Sequence, residues 1–312
     1  MAEAGRRIER GAEISIARGA EMAMERGAGF RRTAAWLVLP LVVLVFALLV
    51  YPLALLSVQS LRPGAGILDA RPGSGALSLS NYRLIVSDPD YRTALLHSVV
   101  LSLGVALVAT LLCLPSAWLF ARREFRGKRL ARALFTLPMS FSGIIVGFLT
   151  IIMLGRIGVV PQLLEKLTGH DGLSGVAYRF GGLLAAYVYF EVPRATLTLE
   201  SALRKFDFRL DAAARTLGAG PWQRLRFVLV PLFLPALLST FAVTFSVSLG
   251  SFGVALILSK RFSLLPLEIF QLYTGLLNGP LAAAMALVLG ATALAVNTTM
   301  RLAFEGRVSR HA

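Results

Sequence analysis

The stretch AAARTLGAGPWQRLRFVLVP occupies residues 212–231 and lies between two long apolar runs. Alanine is the best helix former, and glycine frees the backbone where one helix turns into the next. The stretch is therefore predicted to form two short helices that meet at Gly218. Because three adjacent small side chains let a second protein approach closely, we interpret the segment as a docking element between membrane helices.

The composition of the whole chain indicates a membrane protein. Its 312 residues are 56% hydrophobic, with a mean hydropathy of +0.70, and several apolar runs are long enough to cross a bilayer core of ~30 Å. The net charge of +15 comes from basic residues that flank the apolar runs, which favours membrane topology over nucleic-acid binding as its explanation. One cysteine and three scattered histidines indicate neither a disulfide framework nor a metal site.

Six membrane spans are predicted, at about residues 34–58, 93–120, 133–154, 180–201, 227–258 and 281–304. Residues 1–33 and 305–312 are predicted to be terminal tails. Both tails and the loops 121–132 and 202–226 are basic, whereas the remaining loops have few or balanced charges. Since basic loops stay in the cytoplasm, this pattern predicts that both termini and the 202–231 coupling loop are cytoplasmic.

The spacing from residue 212 to residue 231 resembles the cytoplasmic signature of type I ABC importer permeases. In that signature Glu-Ala-Ala is followed, after three residues, by Gly and, after nine more, by Ile-x-Leu-Pro. The positions that match it, two of them by conservative valines, are Ala213, Ala214, Gly218, Val228, Val230 and Pro231. The departure is at the first position, where Ala212 stands for the Glu and the acidic residue, Asp211, comes one place earlier.

The resemblance implies an all-α polytopic fold with six transmembrane helices and cytoplasmic coupling helices, in a bacterial inner membrane. It implies two cytoplasmic ATPase subunits, an extracytoplasmic solute-binding protein and a second permease subunit, for which a related chain is favoured over a copy. The chain lacks a phosphate-binding loop, so it is expected to be no enzyme and to bind no cofactor, with ATP and Mg on the partner ATPase. The residues expected to couple to the ATPase are Asp211, Ala212, Ala213, Ala214, Arg215, Gly218, Ala219, Trp222, Arg224 and Pro231.

Polar residues inside the predicted spans are candidates for the solute pathway. Glu191 is an ionisable group within a span, where such groups are costly and often functional, and a carboxylate would suit a cationic solute. The alternative is a local pair with Arg194, one helical turn further on. Four serines are further candidates, although serine also serves close helix packing: Ser140, Ser142, Ser248 and Ser251.

Two cues on the solute point in different directions. Residues 250–253, Gly-Ser-Phe-Gly, resemble a Gly-Glu-Phe-Gly stretch of the sulfate and molybdate branch, whereas the long outer loop ending near Asn81-Tyr82 resembles the polyamine branch. A polyamine-like or other organic cation is favoured, and a small oxyanion is the alternative. A secondary transporter would leave the signature unexplained, and a membrane-embedded enzyme would need catalytic groups that the spans lack.

Overall fold

The computed structural model describes residues 38–63, 77–169, 175–206, 209–260 and 262–308. The predicted tail 1–33 and the start of the first predicted span lie outside the described residues. Within these ranges the regular elements are all helical. They are α1 (Val38–Ser60), α2 (Ser80–Ser87), α3 (Pro89–Arg122), α4 (Lys128–Thr136), α5 (Gly143–Leu154), α6 (Val159–Thr168), α7 (Phe180–Leu203), α8 (Arg209–Thr216), α9 (Pro221–Gly250), α10 (Gly253–Leu258), α11 (Leu265–Thr274) and α12 (Gly279–Val308), with short 3-10 turns at Leu137–Ser140 and Val176–Tyr178.

Five segments of the described chain are long and apolar enough to cross a membrane: α1, α3, α5 together with α6, α9, and most of α12. Helix α7 is absent from this set because it carries Glu191, Arg194 and Glu200. Its 24 residues nevertheless give a length of about 36 Å, enough to span a bilayer. The all-α polytopic fold predicted from the sequence is confirmed.

Helices α3, α7 and α9 pack on one another at the centre of the unit that begins at Gln59; α1 belongs mostly to a separate unit and is described by itself. Small side chains form these contacts, and Ala109 and Ala117 of α3 and Ala195 of α7 are completely buried. Small residues let membrane helices approach closely, which increases van der Waals contact where no hydrophobic effect separates helix from lipid. A second apolar cluster joins α2, α11 and α12 to the start of α3.

Three glycines bring α5 and α10 into backbone contact. A Cβ on Gly143 would lie 3.1 Å from the Val254 nitrogen, and one on Gly253 would lie 3.0 Å from the Ile144 nitrogen. One turn further along α5, a Cβ on Gly147 would meet the Ile257 Cβ at 2.7 Å. The two helices therefore begin side by side at a distance that side chains would prevent.

Two of the predicted spans are divided in the structure. The span predicted at 133–154 contains the end of α4, a 3-10 turn at Leu137–Ser140 and then α5, because Pro138 interrupts the helical hydrogen bonding. The span predicted at 227–258 is divided at Ser251, whose backbone is extended, and α9 already begins at Pro221. Proline suits this first helical position, where its missing N–H is not needed.

Candidate coupling site

The segment 209–231 forms a helical hairpin made of α8 and the first turns of α9. Asp211 in the first turn of α8 and Arg215 in its last turn are each placed favourably for the helix dipole. The helix ends at Thr216, and two residues later Gly218 adopts a left-handed conformation with φ 77°. The Ala219 N–H then donates to the Ala214 carbonyl at 3.0 Å, which closes a Schellman-type C-terminus.

Helix α9 begins two residues after this turn. Gly220 is the N-cap residue, with extended backbone, and Pro221 takes the first helical position. The Gly220 N–H donates to the Gln223 Oε1 at 3.0 Å, so the side chain of the third helical residue satisfies the N-cap backbone. A π-helical turn, Leu225–Leu229, follows before α9 continues as a regular helix.

An ion pair fastens the two arms of the hairpin together. The Arg224 guanidinium of α9 donates to the Asp211 carboxylate of α8 three times, at 2.9, 2.7 and 2.9 Å. The two side chains are only 8% and 15% exposed, for Asp211 and Arg224 respectively. Arg215 approaches the same carboxylate at 3.8 Å. Charge-assisted, multiply bonded pairs of this kind fix geometry as well as adding energy.

The turn of the hairpin presents a small apolar rim. Leu217 is 86% exposed and Trp222 is 69% exposed, on either side of Gly218. Ala212 and Ala213 are exposed on α8 next to this rim. We call Ala213, Leu217 and Trp222 the docking rim. The sequence analysis missed Leu217, although a large apolar residue directly before a helix-terminating glycine was the available signal.

The predicted coupling residues therefore separate into two groups. Those that hold the hairpin from within are Asp211, Arg224 and the left-handed Gly218, with Ala214 and Ala219 half-buried. Those that are exposed are Ala212, Ala213, Arg215, Trp222 and, beyond the π-helical turn of α9, Pro231. The displaced acid at position 211 points inward, to a partner within this chain.

A second charged cluster, which the sequence analysis missed, links α4 to α7. Glu200 is buried at the end of α7 and accepts hydrogen bonds from Arg132 of α4 and from Arg204, the latter at 2.8 Å. The Glu200–Arg204 spacing of one helical turn was a visible signal, whereas the contact with Arg132 depends on the fold. This cluster anchors α4 against the same end of α7 from which the hairpin departs.

Glu191 makes the local pair that was the alternative to a solute contact. Its carboxylate is fully buried and accepts from the Arg194 Nη1 at 2.7 and 2.8 Å. Each carboxylate oxygen therefore accepts a hydrogen bond from within α7. The guanidinium of Arg194 is partly exposed and also lies over the Phe190 ring.

The candidate serines fall in different surroundings. Ser142 caps α5 by accepting from the Ile145 N–H, and the Ser251 carbonyl accepts from the Tyr187 hydroxyl at 2.8 Å. The starts of α5 and α10 are in contact, so Ser142 and Ser251, which come just before these two helices, lie near the same point along the helix axes. Ser248 is buried and its hydroxyl has no partner among the described residues, while Ser140 is exposed in the 3-10 turn.

These features define a polytopic helical membrane protein that carries a helical hairpin with exposed apolar side chains at its turn. No group of three metal-ligating side chains occurs in the described part of the chain. Residues 113–307 match the family of binding-protein-dependent transport system inner membrane components, and the chain belongs to that family. It is a non-catalytic permease subunit of the type I ABC importers.

Several relatives are transport permeases. The molybdenum transport system permease ModB of Escherichia coli K12 is 33% identical over 177 residues, covering 55% of this chain and 73% of that protein. The trehalose transport system permease SugB of Mycobacterium tuberculosis is 30% identical over 217 residues, covering 70% and 72%. A probable sulfate transport permease, cysT of Helicosporidium, is 28% identical over 167 residues, covering 54% and 60%.

The fold also resembles a solved structure. A chain of a bacterial alginate ABC transporter, crystallised with an alginate-bound periplasmic protein, superposes with a TM-score of 0.68 over 86% of this chain and 93% of that one. The identity is 16%, so the likeness concerns the fold alone.

Proposed function

We propose that the hairpin 209–231 docks a cytoplasmic ABC ATPase and transmits its movements to the membrane helices. In this proposal the ATPase binds ATP and Mg, a solute-binding protein delivers the solute, and a second permease subunit completes the pathway. The observation that carries it is the docking rim, held on a hairpin that the Asp211–Arg224 pair makes rigid. Exposed aromatic and aliphatic anchors on a rigid support are typical of protein interfaces.

Co-purification with the ATPase tests this docking role. We expect Leu217→Ala with Trp222→Ala to lower ATPase binding by about tenfold or more, since buried interface anchors each contribute on the order of 1–2 kcal/mol. The matched control is Leu163→Ala with Leu167→Ala, which removes two exposed leucines from α6, away from the hairpin. Equal ATPase binding by both double variants would contradict the proposal.

The solute in this proposal is a small oxyanion of the molybdate or sulfate kind. Its support is the similarity to molybdenum and sulfate permeases, together with the pairing of Glu191 by Arg194. The favoured cationic solute rested on the polyamine-like outer loop and on a carboxylate that would face the pathway, and in the structure each oxygen of this carboxylate accepts a hydrogen bond from Arg194. A partly exposed guanidinium beside it suits an anion better than a cation.

Competitive uptake by cells carrying the complete transporter tests the solute. We expect labelled molybdate or sulfate to accumulate, with unlabelled oxyanion competing and putrescine or trehalose having no effect. Glu191→Gln should leave the affinity for the oxyanion unchanged within about twofold, because the carboxylate does not contact the solute in this proposal. If putrescine accumulated instead, and Glu191→Gln abolished this accumulation, the result would contradict the oxyanion proposal and support a cationic solute.

A further inference from the structure

A basic cavity lies beside the hairpin, and none of the docking-rim residues lines it. Its volume is about 670 Å³, and it is formed between the end of α3, the side of α8 that carries Asp211, Ala212 and Arg215, and the first turns of α9. Among the described residues, four guanidinium groups and one carboxylate line it: Arg122, Arg123, Arg215 and Arg224, with Asp211. The described residues that line the cavity therefore carry four positive charges and one negative charge.

The part of the cavity wall that α3 forms before Arg122 is apolar. Pro115, Trp118 and Leu119 of α3 form this wall, and Trp118 packs edge-on against Phe233. One helical turn before Pro115 on α3, Leu111 and Leu112 are more than half exposed. Helix α3 crosses the bilayer, and tryptophan prefers the headgroup level, so the Trp118–Arg122 turn marks the boundary between hydrocarbon and water.

We propose that this cavity binds the headgroup of an anionic phospholipid whose acyl chains lie along the exposed face of α3. The phosphate faces the arginines at the end of α3, and the Trp118 ring lies where the glycerol backbone meets the chains. Basic cavities between helices at the membrane surface are suited to anionic headgroups. A free phosphate would meet the same charges but would make no contact with the apolar part of the wall or with Leu111 and Leu112.

The lipid would sit directly behind the coupling hairpin. Arg215 and Arg224 belong both to the cavity wall and to the ion pair that fastens the hairpin. An anionic headgroup therefore adds negative charge on the cavity side of these two arginines. The site goes beyond the proposed docking of an ATPase, which uses the outward rim.

Tryptophan quenching by brominated lipid tests the site in the full chain. The chain is placed in phosphatidylcholine nanodiscs with Trp36→Phe and Trp222→Phe, which leave Trp118 as the reporter, and brominated phosphatidylglycerol is titrated in. We expect half-maximal quenching at a mole fraction of phosphatidylglycerol about tenfold below that needed with brominated phosphatidylcholine. Equal quenching by the two lipids would overturn the proposal.

Charge variants separate a site from general surface attraction. Arg122→Gln with Arg123→Gln should raise the half-maximal mole fraction by about an order of magnitude, because each arginine near an anionic surface changes binding by roughly fivefold. Arg122→Lys with Arg123→Lys should largely preserve it. Arg126→Gln with Arg129→Gln removes the same charge outside this cavity and should have no effect. Equal shifts in both glutamine pairs, or relief of quenching by inorganic phosphate, would overturn lipid binding at this cavity.

Discussion

At the scale of single residues, Asp211 joins the two helices of the hairpin, a role that its position in the signature does not suggest. Its carboxylate is buried against Arg224 and does not face outward. A buried pair adds little net stability, yet removing one partner leaves an uncompensated charge and is costly. The main effect of the pair is therefore to fix the relative position of α8 and α9, which are connected only by a short turn.

Asp211→Asn should open the hairpin. We expect a local cost of about 3 kcal/mol, seen as faster amide hydrogen exchange across residues 209–224, together with loss of solute-stimulated ATP hydrolysis in the assembled transporter. Arg226→Gln is the matched control, since its guanidinium lies over the Phe227 ring, and we expect no change in exchange there. Unaltered exchange in Asp211→Asn would show that the pair does not hold the hairpin.

Substitutions of Gly218 test whether the turn requires glycine for its left-handed backbone or for lack of room for a side chain. No atom lies within 4 Å of a Cβ built at this residue, but its φ is +77°. We therefore expect Gly218→Asn, which tolerates the left-handed region, to keep transport near normal. Gly218→Val should cost about 1–2 kcal/mol in hairpin stability and reduce coupling of transport to ATP hydrolysis. Equal coupling in the two variants would argue against a conformational requirement.

At the scale of elements, the helix order follows from apolar runs and flanking charges, whereas the breaks do not. Prolines are tolerated inside membrane spans, so Pro138 did not by itself indicate where one predicted span divides. The extended residue Ser251 accepts a hydrogen bond from Tyr187, a residue distant in sequence, so this contact cannot be read from the local sequence. The same holds for the coupling site: Asp211 was recognised as displaced, but its bond to Arg224 requires the turn to be formed.

The glycine contact between α5 and α10 leads to a prediction about stability. Gly147→Ala places a methyl 2.7 Å from the Ile257 Cβ, which cannot rotate away, so the helices must separate at a cost of about 1–3 kcal/mol. Gly104→Ala meets only the Leu184 Cδ1 at 3.3 Å, and that flexible end can move. We expect a lower melting temperature in detergent for the first variant only. Similar melting of both would mean that the α5–α10 contact is not tight.

At the scale of the whole molecule, the charged clusters collect at one end of the helices. The pairs around Asp211 and Glu200 and the basic end of α3 all lie next to the coupling hairpin. The loop between α5 and α6, by contrast, exposes Ile157 and few charges. This asymmetry agrees with the proposed orientation, in which the hairpin lies in the cytoplasm.

Labelling from one side of the membrane tests that orientation. With the buried Cys113 replaced by serine, Leu217→Cys should react with an impermeant maleimide only in inside-out vesicles. Ile157→Cys, whose parent side chain is 85% exposed, should react only in right-side-out vesicles or intact spheroplasts. Labelling of both cysteines from the same side would contradict the proposed topology.

The continuity of α9 has a mechanical consequence. Its 30 residues form a rod about 45 Å long that starts beside Trp222 and ends at the break before α10. If the rod tilted by roughly 5° about its hairpin end, the far end would move by about 4 Å, less than the ~5.4 Å pitch of one helical turn. The π-helical turn and the prolines at positions 231 and 235 lie in its first half. Helix α9 should therefore bend more easily in its first half, next to the hairpin. Its second half, which ends next to Ser251, should move as a stiff unit.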